Sequence, residues 1–240
     1  MLLQERHPVV APRRRPRPLR RVRYTRAMRV SLHEARLEAA LQILLDGGVE
    51  TVLDLGCGSG ALLARLAAEP RFTTIVGVDV SGTALLAAEQ RLGDAGWPSD
   101  GRVSLLHTSF LEEDPRLLGF DAAVLLEAIE HIEPDRLSIL ERVVFGFCRA
   151  GQVLVTTPNR EYNDLYGQPE QQRRHPDHRF EWDRARFQDW AGGVAARNGY
   201  DVSFAGIGWK HPVRGCSTQL AHFRRCAGPG GRSPQPPPPR

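Results

Sequence analysis

Glu127, Glu130 and His131 stand in one short run, EAIEH, directly after the apolar segment 121–126. On a helix their spacing of i, i+3 and i+4 sets two carboxylates and one imidazole on one face. That donor set suits a divalent cation taking oxygen and nitrogen ligands, such as Mg2+ or Mn2+. A second cluster lies in RHPDHRFEW (174–182), which holds His175 and His178. A histidine loop that returns to EAIEH completes a two-glutamate, two-histidine site. Each motif also has a plainer reading: carboxylates that pack or polarise a substrate, and solvated histidines beside a packing Phe180 and Trp182.

A third cluster is DLGCGSG (54–60), between an apolar run and a helical one. Glycines at a strand-to-helix turn let backbone approach a ligand closely, and the helix start offers N–H groups. An acid, Asp79, ends the following apolar run, VGVD. Gly56, Gly58 and Ala61 also satisfy a loose dinucleotide pattern, so spacing alone does not exclude a nicotinamide cofactor.

These groups need elements to hold them. Ser31 with Glu34 forms a capping box, Leu37, Leu41, Leu44 and Leu45 follow at helical spacing, and Gly47-Gly48 stops the helix. Short apolar runs predict strands at 51–55, 74–79, 103–108, 121–126 and 152–157. Helices follow the glycine turn, Ser81, Pro134 and Asp183; in the third of these, Leu137, Leu140, Val144 and Phe147 should face inward. The runs 200–206 and 217–223 predict two closing strands with no helix between them. Alternating strands and helices ending in a strand pair predict an α/β fold, a mostly parallel sheet with an antiparallel last strand.

Composition narrows the class. The chain has 240 residues, 41% hydrophobic and 25% charged, an ordinary globular balance. No window approaches the roughly 20 apolar residues of a membrane span. No apolar segment backs the N-terminal arginines as a secretory leader requires. The four cysteines form no CxxC pair, so reduced thiols and a cytoplasmic location are expected. Charge is uneven. Residues 1–29 hold ten arginines and one acid, Glu5, and residues 202–240 hold five arginines, Lys210 and no acid. The net charge is +4, so the body between these ends is acidic. Three regions follow: a basic arm (1–29), expected to be disordered and suited to nucleic acid phosphates; a folded domain (30–226); and a disordered Pro/Gly-rich tail (227–240).

VLDLGCGSG with Asp79 resembles the S-adenosylmethionine site of class I methyltransferases, a Rossmann-like fold with a seven-stranded sheet. The resemblance implies that Asp79 holds the cofactor ribose, that Asp54, Gly56 and Gly58 face its methionine part, and that Ser109 lies near the adenine. EAIEH, TTPNREYN (156–163), HPDHRFEW (175–182) and RARFQDWA together resemble the RNA 3′-terminal 2′-O-methyltransferases that modify small or cleaved RNAs, over about residues 31–225. That family implies metal ligands at Glu127, Glu130, His131 and His178, with His175 outside the set. It also implies S-adenosylmethionine and Mg2+ or Mn2+ as cofactors. The expected substrate is RNA with a free 3′ end, with an RNA-repair or RNA-silencing protein as a further partner. Asn159, Tyr162 and Asn163 are expected to shape the pocket without assigned roles. A small-molecule O-methyltransferase of the quinone-biosynthesis type is the alternative enzyme, and HPDHRFEW argues against it. A noncatalytic RNA-binding module is the other alternative, and it predicts damage at the cofactor and metal positions, which are intact.

Overall fold

The computed structural model describes residues 31–96, 101–167 and 172–226. The expected arm and tail lie outside the described residues.

Seven strands form one sheet: β1 (Thr51–Leu55), β2 (Thr74–Asp79), β3 (Val103–His107), β4 (Ala122–Leu126), β5 (Gln152–Pro158), β6 (Tyr200–His211) and β7 (Gly215–Arg225). Their order is β3-β2-β1-β4-β5-β7-β6. The first five pair in parallel, and β7 runs antiparallel to both β5 and β6. Helices α1 (Leu32–Asp46), α2 (Ala61–Ala68) and α3 (Gly82–Asp94) cover one face. Helix α4 (Leu137–Leu140), its continuation to Cys148, and α5 (Arg184–Asn198) cover the other. The central strands are buried on both faces, as parallel strands between helical layers must be. Alternate residues feed the two cores: Val52, Val124 and Leu154 enter one, Leu53, Leu125 and Val155 the other. Each such side chain contributes about 1.5–3 kcal/mol by leaving water.

Local signals explain the boundaries. The Ser31 hydroxyl accepts the Glu34 N–H, and Asp183 caps α5 by accepting from Arg186. Gly199 ends α5 at φ 72°, a left-handed conformation that favours glycine.

Two expectations change. After α4 the chain widens into a π-helix over Glu141–Cys148, closed by Arg149 N–H to Val144 O at 3.1 Å. The wider turn rotates later residues, so Val143, Phe145 and Cys148 are buried and Phe147 is only half-buried. The closing strands are also longer than expected. They meet in a tight turn at 212–214, with a bulge between Ile207 and Lys210. The glycine-interrupted, mixed-polarity stretch 207–216 hid this continuation.

Parallel strands place their carboxyl ends on one edge, where an open α/β sheet binds ligands. Asp54, Asp79, Glu127 and the Thr156–Asn159 segment all lie along it.

Candidate active site

The end of β1 turns through three glycines at positive φ: Gly56 (82°), Gly58 (54°) and Gly60 (74°). A side chain on Gly60 would stand 2.8 Å from the Ala88 methyl, and one on Gly56 would meet Ala128 at 3.3 Å and Phe110 at 3.5 Å. The turn is tied internally: Gly56 and Cys57 donate to Val78 O, and Gly58 donates to Asp79 Oδ2 at 2.9 Å. Gly60 donates to Cys57 O as well, so four of the turn's amides are engaged within the protein, and its glycines let a ligand approach the backbone closely. The other Asp79 oxygen accepts from Ser81 N–H at 2.8 Å. Each carboxylate oxygen keeps a lone pair for a further donor, such as a ribose hydroxyl.

Asp54 is buried, and its Oδ2 has no hydrogen-bond partner. Burial, helped by the Asp79 charge, raises its pKa to about 7. An unpartnered buried carboxyl oxygen beside a bare glycine turn fits a ligand that brings a cationic donor, such as the methionine ammonium of S-adenosylmethionine. The Ser109 hydroxyl accepts from Leu111 N–H at 3.1 Å and so holds the turn after β3. Its neighbour Phe110, unmarked in the sequence reading, reaches the glycine turn.

At the end of β4 the EAIEH segment is not one helix. Glu127 has φ 54°, and only Ile129–His131 form a 3₁₀ turn. The i, i+3, i+4 face therefore does not exist. Glu127 is instead locked by two bonds from its N–H, to Thr156 Oγ1 at 2.9 Å and Thr156 O at 3.2 Å. Its Oε2 pairs with Arg36 of α1 at 3.2 Å, while its Oε1 is buried without a partner. Arg36 is itself aimed by Nε donation to Thr218 Oγ1 at 3.0 Å.

Glu130 is fully buried. Thr157 donates to its Oε2 at 3.0 Å, and its Oε1 has no partner. Burial first, then the Glu127 charge, raises its pKa well above the usual carboxylate range. Burial, with His178 nearby, lowers that of His131. The two threonines of TTPN therefore serve the two glutamates, one by backbone and one by carboxylate.

The 174–182 loop does return to this edge. Arg179 N–H donates to Glu130 O at 2.7 Å, which seats His178 over the 3₁₀ turn. The His131 and His178 rings lie 5.0 Å apart, and His175 lies 6.1 Å from His131. Glu130, His131 and His178 present ligand atoms all within 4.8 Å of one another. Glu127 falls outside that group, its carboxylate being turned to Arg36. His178 is buried, with Nδ1 2.6 Å from Glu181 Oε1. Burial alone would raise the Glu181 pKa, but bonds from His178, Asn163 and Arg174 N–H hold it low.

These donors fit a cation. Glu130 has one buried, unsatisfied oxygen, and two imidazoles bring ligand atoms within 4.8 Å of its carboxylate, one of them held by a carboxylate behind. Sequence reasoning missed Arg36, Arg174 and Glu181. Arg174 donates to Asn163 Oδ1, Ser217 O and Asn159 O, and Asn163 donates to Glu181 Oε2 at 2.6 Å. Glu181 and Arg174 sat inside a quoted motif, where their roles had no separate signal. Arg36 carried none at all.

Comparison with known proteins places this geometry. A family model described as "Methyltransferase domain" matches residues 53–152. The chain is 37% identical over 209 residues to a small RNA 2′-O-methyltransferase of Rattus norvegicus, covering 83% of this chain and 52% of that protein. It is 39% identical to the methyltransferase domain of bacterial CtHen1, covering 81% of this chain and all of that one, with a TM-score of 0.74. It is 33% identical to the small RNA methyltransferase HEN1, covering 91% of this chain and 29% of that one, with a TM-score of 0.77. The chain spans about half the length of the curated rodent and bird relatives it matches.

Proposed function

The chain belongs to the small RNA 2′-O-methyltransferase family, and from that premise we propose that it methylates the 2′-hydroxyl of the 3′-terminal nucleotide of RNA, using S-adenosylmethionine and a divalent cation. Supporting this reading is one observation above all. Glu130, His131 and His178 present ligand atoms within 4.8 Å of one another, on the same sheet edge as the Asp54 and Asp79 carboxylates, and Glu130 keeps one buried oxygen, Oε1, without a partner.

In this reading Glu130, His131 and His178 hold the cation, with Glu127 as the fourth candidate ligand. A bound Mg2+ or Mn2+ supplies Lewis-acid polarisation of a ribose hydroxyl, a poor nucleophile at neutral pH. The chain's own residues do the rest. Thr156 and Thr157 fix the two glutamates, and Arg179 N–H holds the histidine loop over them. Asp79 takes the cofactor ribose, and Asp54 takes its methionine end. With the sulfonium methyl already activated, orientation of the hydroxyl toward it is the main task left to the protein.

A chelator separates the two halves of the site. It should stop methyl transfer to RNA while S-adenosylhomocysteine still binds, measured by calorimetry. Full-rate transfer in the chelator would make this a metal-free O-methyltransferase.

A further inference from the structure

Against the outer side of the histidine loop lies a groove of about 370 Å³. Arg160, Arg173, Arg179 and Arg186 line it, all exposed, together with Trp182 and Glu181. Glu181 does not pair with them directly, because both its oxygens are taken by His178, Arg174 N–H and Asn163. Arg173 donates to an uncharged acceptor, His178 O, at 2.6 Å, and Arg186 lies over the Trp182 ring at 5.5 Å. Neither is ion-paired among the described residues. Arg179 pairs with Glu133 at 3.1 Å, a half-exposed contact of little strength. The groove is therefore cationic and abuts the ligand cluster through Glu181 and through Arg179, whose N–H is bonded to Glu130 O. Past Trp182 and Arg186 a second hollow carries Glu141 and Asp189, so the cationic stretch ends there.

The rings beside this groove are not stacking platforms. Phe180 and Trp182 stack on each other with centroids 4.2 Å apart, and only 8% and 5% of their surfaces are exposed. Arg186 covers one of them. Single-strand binding that reads bases needs open rings; a groove of guanidiniums over closed rings contacts charge alone.

We propose that this groove carries the phosphates immediately 5′ of the terminal nucleotide and holds the RNA strand without regard to sequence. The inference rests on the RNA-methylation reading above and adds the path by which the strand leaves the site.

The full chain should be titrated with a labelled 12-nucleotide single-stranded RNA at several salt concentrations, by fluorescence anisotropy. Replacing two arginines (Arg160→Gln with Arg186→Gln) should raise Kd about tenfold and flatten the log–log salt slope by about 1.4, roughly 0.7 per lost phosphate contact. The change should be equal for oligo-U and oligo-A. KM for the 12-mer should rise with kcat unchanged, and a dinucleotide, which carries a single phosphate, should be affected less. The charge-keeping pair Arg160→Lys and Arg186→Lys should restore the slope. Retained S-adenosylhomocysteine binding checks that the variants are folded; if the double variant is not, each single variant should show about half the slope change. An unchanged Kd and slope while the wild type still methylates RNA overturns the groove alone. A wild type that neither binds nor methylates RNA overturns the functional reading, and the groove with it. A lower kcat at saturating RNA also overturns the proposal, because the groove would then belong to the chemistry.

Discussion

The Nδ1 atom of His178 lies 2.6 Å from Glu181 Oε1, an oxygen that also accepts Arg174 N–H at 2.7 Å. The second Glu181 oxygen accepts the Asn163 amide nitrogen. That amide is oriented by Arg174 Nε, which can only donate, on Asn163 Oδ1. With both oxygens accepting, the carboxylate is an acceptor to His178 as well. A proton therefore sits on Nδ1, which leaves Nε2 as the ring nitrogen able to offer a lone pair to a cation at the cluster with Glu130 and His131.

Glu181→Gln should disturb that arrangement, because its amide nitrogen must face a donor on one side or the other. Mn2+ affinity, read by electron paramagnetic resonance, should fall 10–100-fold, with S-adenosylhomocysteine affinity unchanged. In the metal-free protein, ¹⁵N shifts of His178 should report the Nδ1–H tautomer in the wild type and a mixture in the variant. Unaltered shifts and metal affinity would make Glu181 a packing residue.

His178→Ala should reduce turnover at least 10²-fold, whereas His175→Ala should be mild. His175 is half-exposed and turned to Asp177, with its Nδ1 accepting Asp177 N–H at 3.2 Å. Steady-state kinetics on the two variants would show whether the roles are reversed.

Most of the fold was readable because its signals are local. Ser31 and Asp183 are caps, and apolar runs bounded by glycine mark the parallel strands. The π-helix was not, since its residues read equally well at 3.6 per turn. Within the site, Glu130, His131 and His178 carried visible donor chemistry. The status of Glu127 depended on a left-handed backbone and on Arg36, which reaches it across 91 positions of chain. Only tertiary structure brings that pair together.

The cofactor should bind with a proton signature. The Asp54 pKa is raised to about 7 in the folded protein, against about 3.9 for an unperturbed aspartate. The native state thus holds a proton that the unfolded chain has lost, and stability should fall as pH rises from about 4 to 7, then level off. A ligand ammonium beside Asp54 favours the ionised form, so S-adenosylhomocysteine binding should release a proton below pH 7 and tighten as pH rises to that value. Calorimetry in buffers of different ionisation enthalpy measures this, and Asp54→Asn should abolish it. Identical proton release in the variant would remove Asp54 from the cofactor site.

Gly60→Ala should cost about 1–3 kcal/mol. The new methyl would stand 2.8 Å from Ala88 Cβ, at a backbone φ of 74°. The thermal midpoint should drop by several degrees, at about 2–4 °C per kcal/mol for a domain of this size. No drop would mean that α2 and α3 separate easily.

The central claim is the atom that receives the methyl group. Two RNAs of one sequence, identical except that one lacks the 2′-hydroxyl on its last ribose, should be incubated with radiolabelled S-adenosylmethionine and Mn2+. Label incorporation into the full-ribose RNA alone, recovered in its terminal nucleoside after digestion, is the predicted result. Equal labelling of both RNAs, or label at internal positions, would contradict it.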